Sequence, residues 1–175
     1  EIAAELGLTG LKVAAVTGDE VNHLVGPDTQ LLEPACKLSE TGRQMLAANA
    51  YLGIDAILPA IEAGADVIIT GRVADPSLFL APLAHHFEWD LQDWQTMGAG
   101  TAVGHLLECS AQVTGGYFAD PGHKVVPDLA NVGFPLAEVD ANGDAVITKL
   151  SDSGGLVSQR TVKEQLLYEV HDPAA

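Results

Sequence analysis

Positive charge is scarce in this chain. Eight Lys and Arg stand against 24 Asp and Glu among 175 residues, a formal charge of −16. A nucleic-acid binder needs cations to displace phosphate counterions, so that class is excluded. Docking on anionic membranes is excluded on the same ground. Long apolar runs are also missing: none approaches the roughly 18 residues of a membrane span. Cysteine is rare, with Cys36 and Cys109 alone. That suits a reducing compartment, the cytoplasm, and offers no disulfide framework. Aromatic residues make up 5%. Disorder does not follow from these shortages, because 47% of the residues are apolar and the mean hydropathy is +0.19. Such a chain can bury a core.

What is present is the grammar of an α/β protein. Ile2–Leu6 reads as a helix tail stopped by Gly7. Leu11–Val16 has strand length, with Thr17-Gly18-Asp19 at its carboxyl end. A loose excursion from Asn22 to Gly42 follows, broken by Gly26, Pro27 and Pro34. Met45–Tyr51 is expected as a second strand, Ile54–Ala63 as a helix closed by Gly64, and Asp66–Thr70 as a β-branched strand. A helix opened by Pro76 should run through Leu83. Asp93 or Thr96 should start another, containing Thr101–Cys109. Asn142-Gly143 between Leu136–Asp140 and Ala145–Lys149 predicts a hairpin. Thr161-Val162-Lys163-Glu164 has capping-box form ahead of Gln165–Val170, with an apolar stripe at Val162, Leu166, Leu167 and Val170. The expected fold is therefore α/β: a mostly parallel sheet flanked by helices, with an antiparallel hairpin near 136–149. A helix already running at Glu1, and an ending just past a strong helix, read as a single-domain fragment cut at both ends, an incomplete domain.

In open α/β sheets ligands sit beyond the carboxyl ends of the strands. The three expected strand ends carry Thr17-Gly18-Asp19, Asn49-Ala50-Tyr51 with Gly53, and Thr70-Gly71-Arg72 with Asp75. Glycine lets the backbone approach a ligand, and polar side chains stand beside it. Arg72 could fork onto a carboxylate or phosphate, or pair with Asp75 to lock its loop. Asn49 could fix the loop or contact a ligand. Thr17 and Asp19 read as a turn and a helix cap.

His105, Glu108 and Cys109 stand at i, i+3 and i+4, one face of a helix. Three readings compete: a packed helix face in which His105 and Glu108 interact, acid–base work by either without metal, or a metal site completed by Cys109. The zinc-peptidase motif nearest to it requires a second His where Cys109 stands, so no metal is assigned. Gly98-Ala99-Gly100 lacks the dinucleotide spacing, and no Walker sequence or G-x-S-x-G elbow occurs. No cofactor is predicted. His85, His86 and His123 are expected in solvated loops, and Trp89 and Trp94 as anchors to the core.

Several segments together are similar to a known family. They are Asn49–Gly53, Ile68–Asp75, Gly104–Cys109, Gln112–Phe118, Val126–Leu129, Gly133–Pro135, Gly154–Val157 and Thr161–Val170. In order and at natural spacing, they resemble the acyclic terpene utilisation (AtuA) family over nearly the whole chain. The resemblance implies a place in the main domain of longer proteins, with further residues on either side. It also implies catabolism of citronellol- or geraniol-type terpenes or branched acids through CoA thioesters. The matching positions include Asn49, Arg72, Asp75, His105, Glu108, Gly115 and Gly116. From the strand-end polar clusters together with this resemblance, and because no hydride-cofactor signature occurs, we expect a cytoplasmic enzyme of lyase or hydratase type acting on a small molecule. His105 and Glu108 would transfer protons. Asn49, Tyr51, Thr70, Gly71, Arg72, Asp75, Gly115 and Gly116 would bind substrate, with Arg72 on an anionic group and Gly115-Gly116 lining the pocket with amides. Alternatives are a non-catalytic scaffold or partner of an acyl-CoA enzyme complex, and a metal-dependent hydrolase built on His105, Glu108 and Cys109. A homo-oligomer is a further possibility.

Overall fold

The computed structural model describes residues 2–170. The chain divides into two compact units, Glu1–Ala74 and Asp75–Ala175.

The first unit holds α1 (Ile2–Glu5), β1 (Val13–Val16), α2 (Leu58–Glu62) and β2 (Val67–Thr70). β1 and β2 are parallel, with Val13 opposite Val67 and Val16 opposite Thr70. A turn at Ile54–Ala56 and α2 make the crossover that a parallel pair requires. Ile54 and Ile57 are buried beneath it. The excursion contains single helical turns at Asn22–Leu24 and Leu38–Thr41.

Met45–Tyr51 does not form the expected strand. It is extended backbone that pairs only at isolated points: Asn49 with Glu20, and Leu52 with Val73 just beyond it. The run is rich in alanine, and its one large aliphatic side chain, Leu46, is 91% exposed. Nothing anchors a face, so a continuous ladder is not supported. The segment still threads between the two strand ends. Ala50 N–H donates to the Asp19 carbonyl (2.7 Å), Leu52 N–H to that of Arg72 (3.2 Å), and Ala74 N–H to that of Leu52 (2.9 Å).

The second unit contains α3 (Ser77–His86), α4 (Trp94–Glu108), β3 (Pro135–Val139), β4 (Ala145–Lys149) and α5 (Gln159–Leu167). Asp93 caps α4 by accepting the Gln95 N–H (3.1 Å). α3 and α4 pack through Leu80, Ala81, Ala84, Val103 and Leu106, all buried. Gly100 and Gly104 make that approach possible: a Cβ on Gly104 would lie 2.6 Å from the Pro76 carbonyl oxygen. α3 runs past Leu83, so His85 and His86 form its last turn rather than a loop. Trp89 is an anchor, donating from Nε1 to the Ala141 carbonyl (2.7 Å). Trp94 is not, being 76% exposed at the first position of α4.

β3 and β4 form the expected antiparallel hairpin, one residue earlier in its first strand. Its loop closes where Asp140 N–H meets the Asp144 carbonyl, and Gly143 takes φ 88°. α5 starts earlier than expected. Its cap is Ser158, whose Oγ accepts the Thr161 N–H (3.2 Å) while Thr161 Oγ1 accepts the Ser158 N–H (3.0 Å). The expected apolar stripe is not its inward face either, since Leu166, Leu167 and Val170 are exposed. Thr161 and Gln165, each 1% exposed, are buried instead. The architecture is thus mixed helix and strand, with one small parallel pair and one antiparallel pair. It is not a mostly parallel sheet, because the ladder in the first unit stops at two strands.

Candidate functional site

Polar residues gather at one place in each unit. In the first, Asp19 is the hub. Its carboxylate accepts the Arg72 N–H (2.9 Å) and the Asn49 Nδ2–H (2.8 Å). Thr70 closes β2 opposite Val16, and Gly71 follows without a side chain because a Cβ there would overlap the Asp19 carboxylate. Asp19, just past β1, is thus a clasp to Asn49 and to Arg72 beyond β2, rather than the helix cap expected from sequence. The Arg72 guanidinium lies 5.5 Å above the centre of the exposed Tyr51 ring. The second unit begins at Asp75, which is exposed ahead of α3.

The clasp has a pH consequence. Chiefly the Arg72 N–H, then Asn49, hold the Asp19 carboxyl below its ordinary value of 3.8. A depressed folded value means stabilisation that is present above that ordinary value and lost as pH falls through the folded one. The hydrogen-exchange protection factor of the Arg72 amide should therefore fall on acidification below about pH 4. Asp19→Asn should lower it at neutral pH and flatten the acid response. An unaltered profile in the variant would contradict the assignment.

In the second unit, α4 and α5 meet through polar groups. Gln165 Nε2–H donates to the His105 carbonyl (3.0 Å), and His105 Nε2 lies 3.0 Å from the Gln165 carbonyl. A carbonyl only accepts, so Nε2 carries the proton and neutral His105 keeps its lone pair on Nδ1. Nδ1 stands 4.0 Å from Glu108 Oε1, the two side chains being 21% and 14% exposed. The same Oε1 accepts from Cys109 Sγ–H (2.9 Å) and from the Tyr168 hydroxyl (3.4 Å). Cys109 Sγ and the Tyr168 hydroxyl are 3.2 Å apart, and the Tyr168 ring stacks on His105 at 5.9 Å between centres. The helical spacing of His105, Glu108 and Cys109 thus brings the three together, as the sequence suggests.

Burial, and then the hydrogen bond to Glu108, raise the Cys109 thiol above its ordinary value. The contact with Cys109, then burial, raise the Tyr168 phenol. Both remain protonated donors at neutral pH, and Cys109 is not an activated thiolate. Among the described residues no three His, Cys, Asp or Glu side chains converge as metal ligands. His105 Nε2 and the Cys109 proton are directed at oxygens instead.

Gly115 and Gly116 lie in the wide helical turn Gln112–Gly116. Gly115 has φ 113°, and a Cβ there would press on Val126. Gly116 N–H donates to the Ala111 carbonyl (2.9 Å), so that amide is already engaged. Gln165 and Tyr168 are not among the site residues expected from sequence. A signal for them exists: Thr161, Gln165 and Tyr168 repeat at helical spacing, a polar stripe on a helix judged by its apolar one. Gln165 Oε1 is buried and lacks a hydrogen-bond partner among the described residues.

Residues 1–174 match the model of the family described as acyclic terpene utilisation family protein AtuA. The chain belongs to that family. No curated protein and no solved structure matches it.

Proposed function

Taking that membership as premise, we propose that the chain works in acyclic terpene utilisation as an acid–base enzyme on a branched acyl thioester, with lyase or hydratase chemistry. The observation that carries this is the shared Glu108 oxygen. One partly accessible carboxylate receives two protonated donors and faces an imidazole nitrogen that holds a lone pair. Such a pair can take a proton at one atom and return it at another. In a hydration, the water oxygen bonds to the β-carbon of an unsaturated thioester as Glu108 takes its proton. This leaves an enolate; Glu108 passes the proton to the lone pair on His105 Nδ1, and His105 gives it to the α-carbon, which restores both groups. Cys109 and Tyr168 hold the carboxylate in place by donating to it.

The test is turnover of branched α,β-unsaturated acyl-CoA by the purified protein, with products identified by mass spectrometry. His105→Ala should reduce turnover roughly 100-fold or more. Undiminished turnover in the variant would sink the acid–base role, and absence of turnover by the parent protein would favour the scaffold alternative.

A further inference from the structure

A chain with eight cations and a charge of −16 has few to spend, yet three of them line one place. Lys124, Arg160 and Lys163 surround an open cleft of about 570 Å³ in the second unit, walled by Tyr117, Phe118 and Tyr168. Lys124 Nζ pairs with Glu164 (2.6 Å) and lies 4.9 Å above the Phe118 ring. The Arg160 guanidinium lies 5.3 Å above that ring. Among the described residues neither Arg160 nor Lys163 has an acidic partner within ion-pair distance.

Folding alone does not explain this placement. Arg160 and Lys163 stand in the first turns of α5, the end where the helix macrodipole favours acidic residues and opposes cations. Two cations there, with no acidic partner among the described residues, repel each other and are opposed by the helix end. A bound anion with more than one negative charge would relieve both terms, and a guanidinium suits the geometry of phosphate oxygens. The walls add a second requirement. Tyr117 is 58% exposed, and Tyr168 presents the ring whose hydroxyl reaches Glu108. Exposed aromatic faces beside phosphate-directed cations suit a flat ring joined to phosphate.

We propose that this cleft binds a nucleotide: phosphates on Arg160 and Lys163, the base against Tyr117. The nucleotide is either free or the handle of a CoA thioester. Only the second case rests on the function proposed above. There the shared Tyr168 joins handle to chemistry, since it lines the cleft and touches Glu108.

Calorimetric titration of the whole protein tests this with CoA, ADP and inorganic phosphate as separate ligands. CoA and ADP should both bind more tightly than phosphate. CoA tighter than ADP supports the thioester handle, and equal affinities support a free nucleotide. The double variant Arg160→Gln, Lys163→Gln should lose roughly tenfold in affinity for each cation removed. Its thermal midpoint, checked in parallel, reports that the fold is kept, and Arg43→Gln in the first unit supplies a control for loss of a cation outside the cleft. Glu108→Gln should still bind nucleotide, which separates failure of the cleft from failure of the acid–base reading. Absence of binding by both CoA and ADP, or unchanged affinity in a folded double variant, overturns the proposal.

Discussion

Glu108→Gln should abolish most of the turnover, by roughly 100- to 10,000-fold, and leave the fold standing. The amide keeps the size of the side chain and an oxygen that can accept from Cys109 and Tyr168. What it cannot do is take a proton. The loss should therefore fall on turnover rather than on affinity, because the carboxylate acts on the reacting atoms and not on the bulk of the ligand. Thermal unfolding of the same sample provides the check. A midpoint close to that of the parent protein with turnover lost supports the assignment. Full turnover in Glu108→Gln would show that the shared carboxylate is only a joint between α4 and α5.

The largest effect on stability is expected at Gly104. In an isolated helix Gly→Ala is favourable by up to about 1 kcal/mol. Here the added methyl would meet the Pro76 carbonyl oxygen at 2.6 Å and the Pro76 Cα at 2.8 Å. Backbone cannot swing aside as a side-chain tip can, so α4 must move off α3. That interface holds Leu80, Ala81, Ala84, Val103 and Leu106, most of the apolar core of the unit. Gly104→Ala should cost about 3 kcal/mol, read as a lower urea midpoint by circular dichroism. Gly98 lies in the same helix, and a methyl group added there would meet nothing within 4 Å. Gly98→Ala should therefore stabilise by about 0.5–1 kcal/mol. Equal responses at the two positions would contradict the packing account.

Much of this is legible in the sequence because the signals are local. Asp93 before α4, Asn142-Gly143 in the hairpin and Gly64 after α2 each act on their own few residues. The parallel pairing of β1 with β2 accords with two apolar runs of strand length separated by a helix. Met45–Tyr51 misleads because a run of small residues says little when no face is buried. α5 misleads for the opposite reason. An apolar stripe ordinarily marks the buried side of a helix, whereas here Thr161 and Gln165 turn inward, and Gln165 satisfies a polar group of α4. The site divides in the same way. His105, Glu108 and Cys109 are visible through their spacing in one helix. Gln165 and Tyr168 complete the cluster from about 60 residues away, a separation no local pattern reports. The basic cleft is hidden similarly: Lys124 is far in sequence from Arg160 and Lys163, and only the fold gathers them.

The central claim is that the His105–Glu108 pair moves a proton at the α-carbon of a thioester. Exchange from heavy water reads that step directly. The protein is incubated with a branched acyl-CoA in deuterium oxide, and the recovered thioester is weighed by mass spectrometry. Deuterium entering at the α-carbon, catalysed by the parent protein and lost in Glu108→Gln, is the predicted result. A thioester recovered without deuterium, although the protein binds it, would contradict the claim.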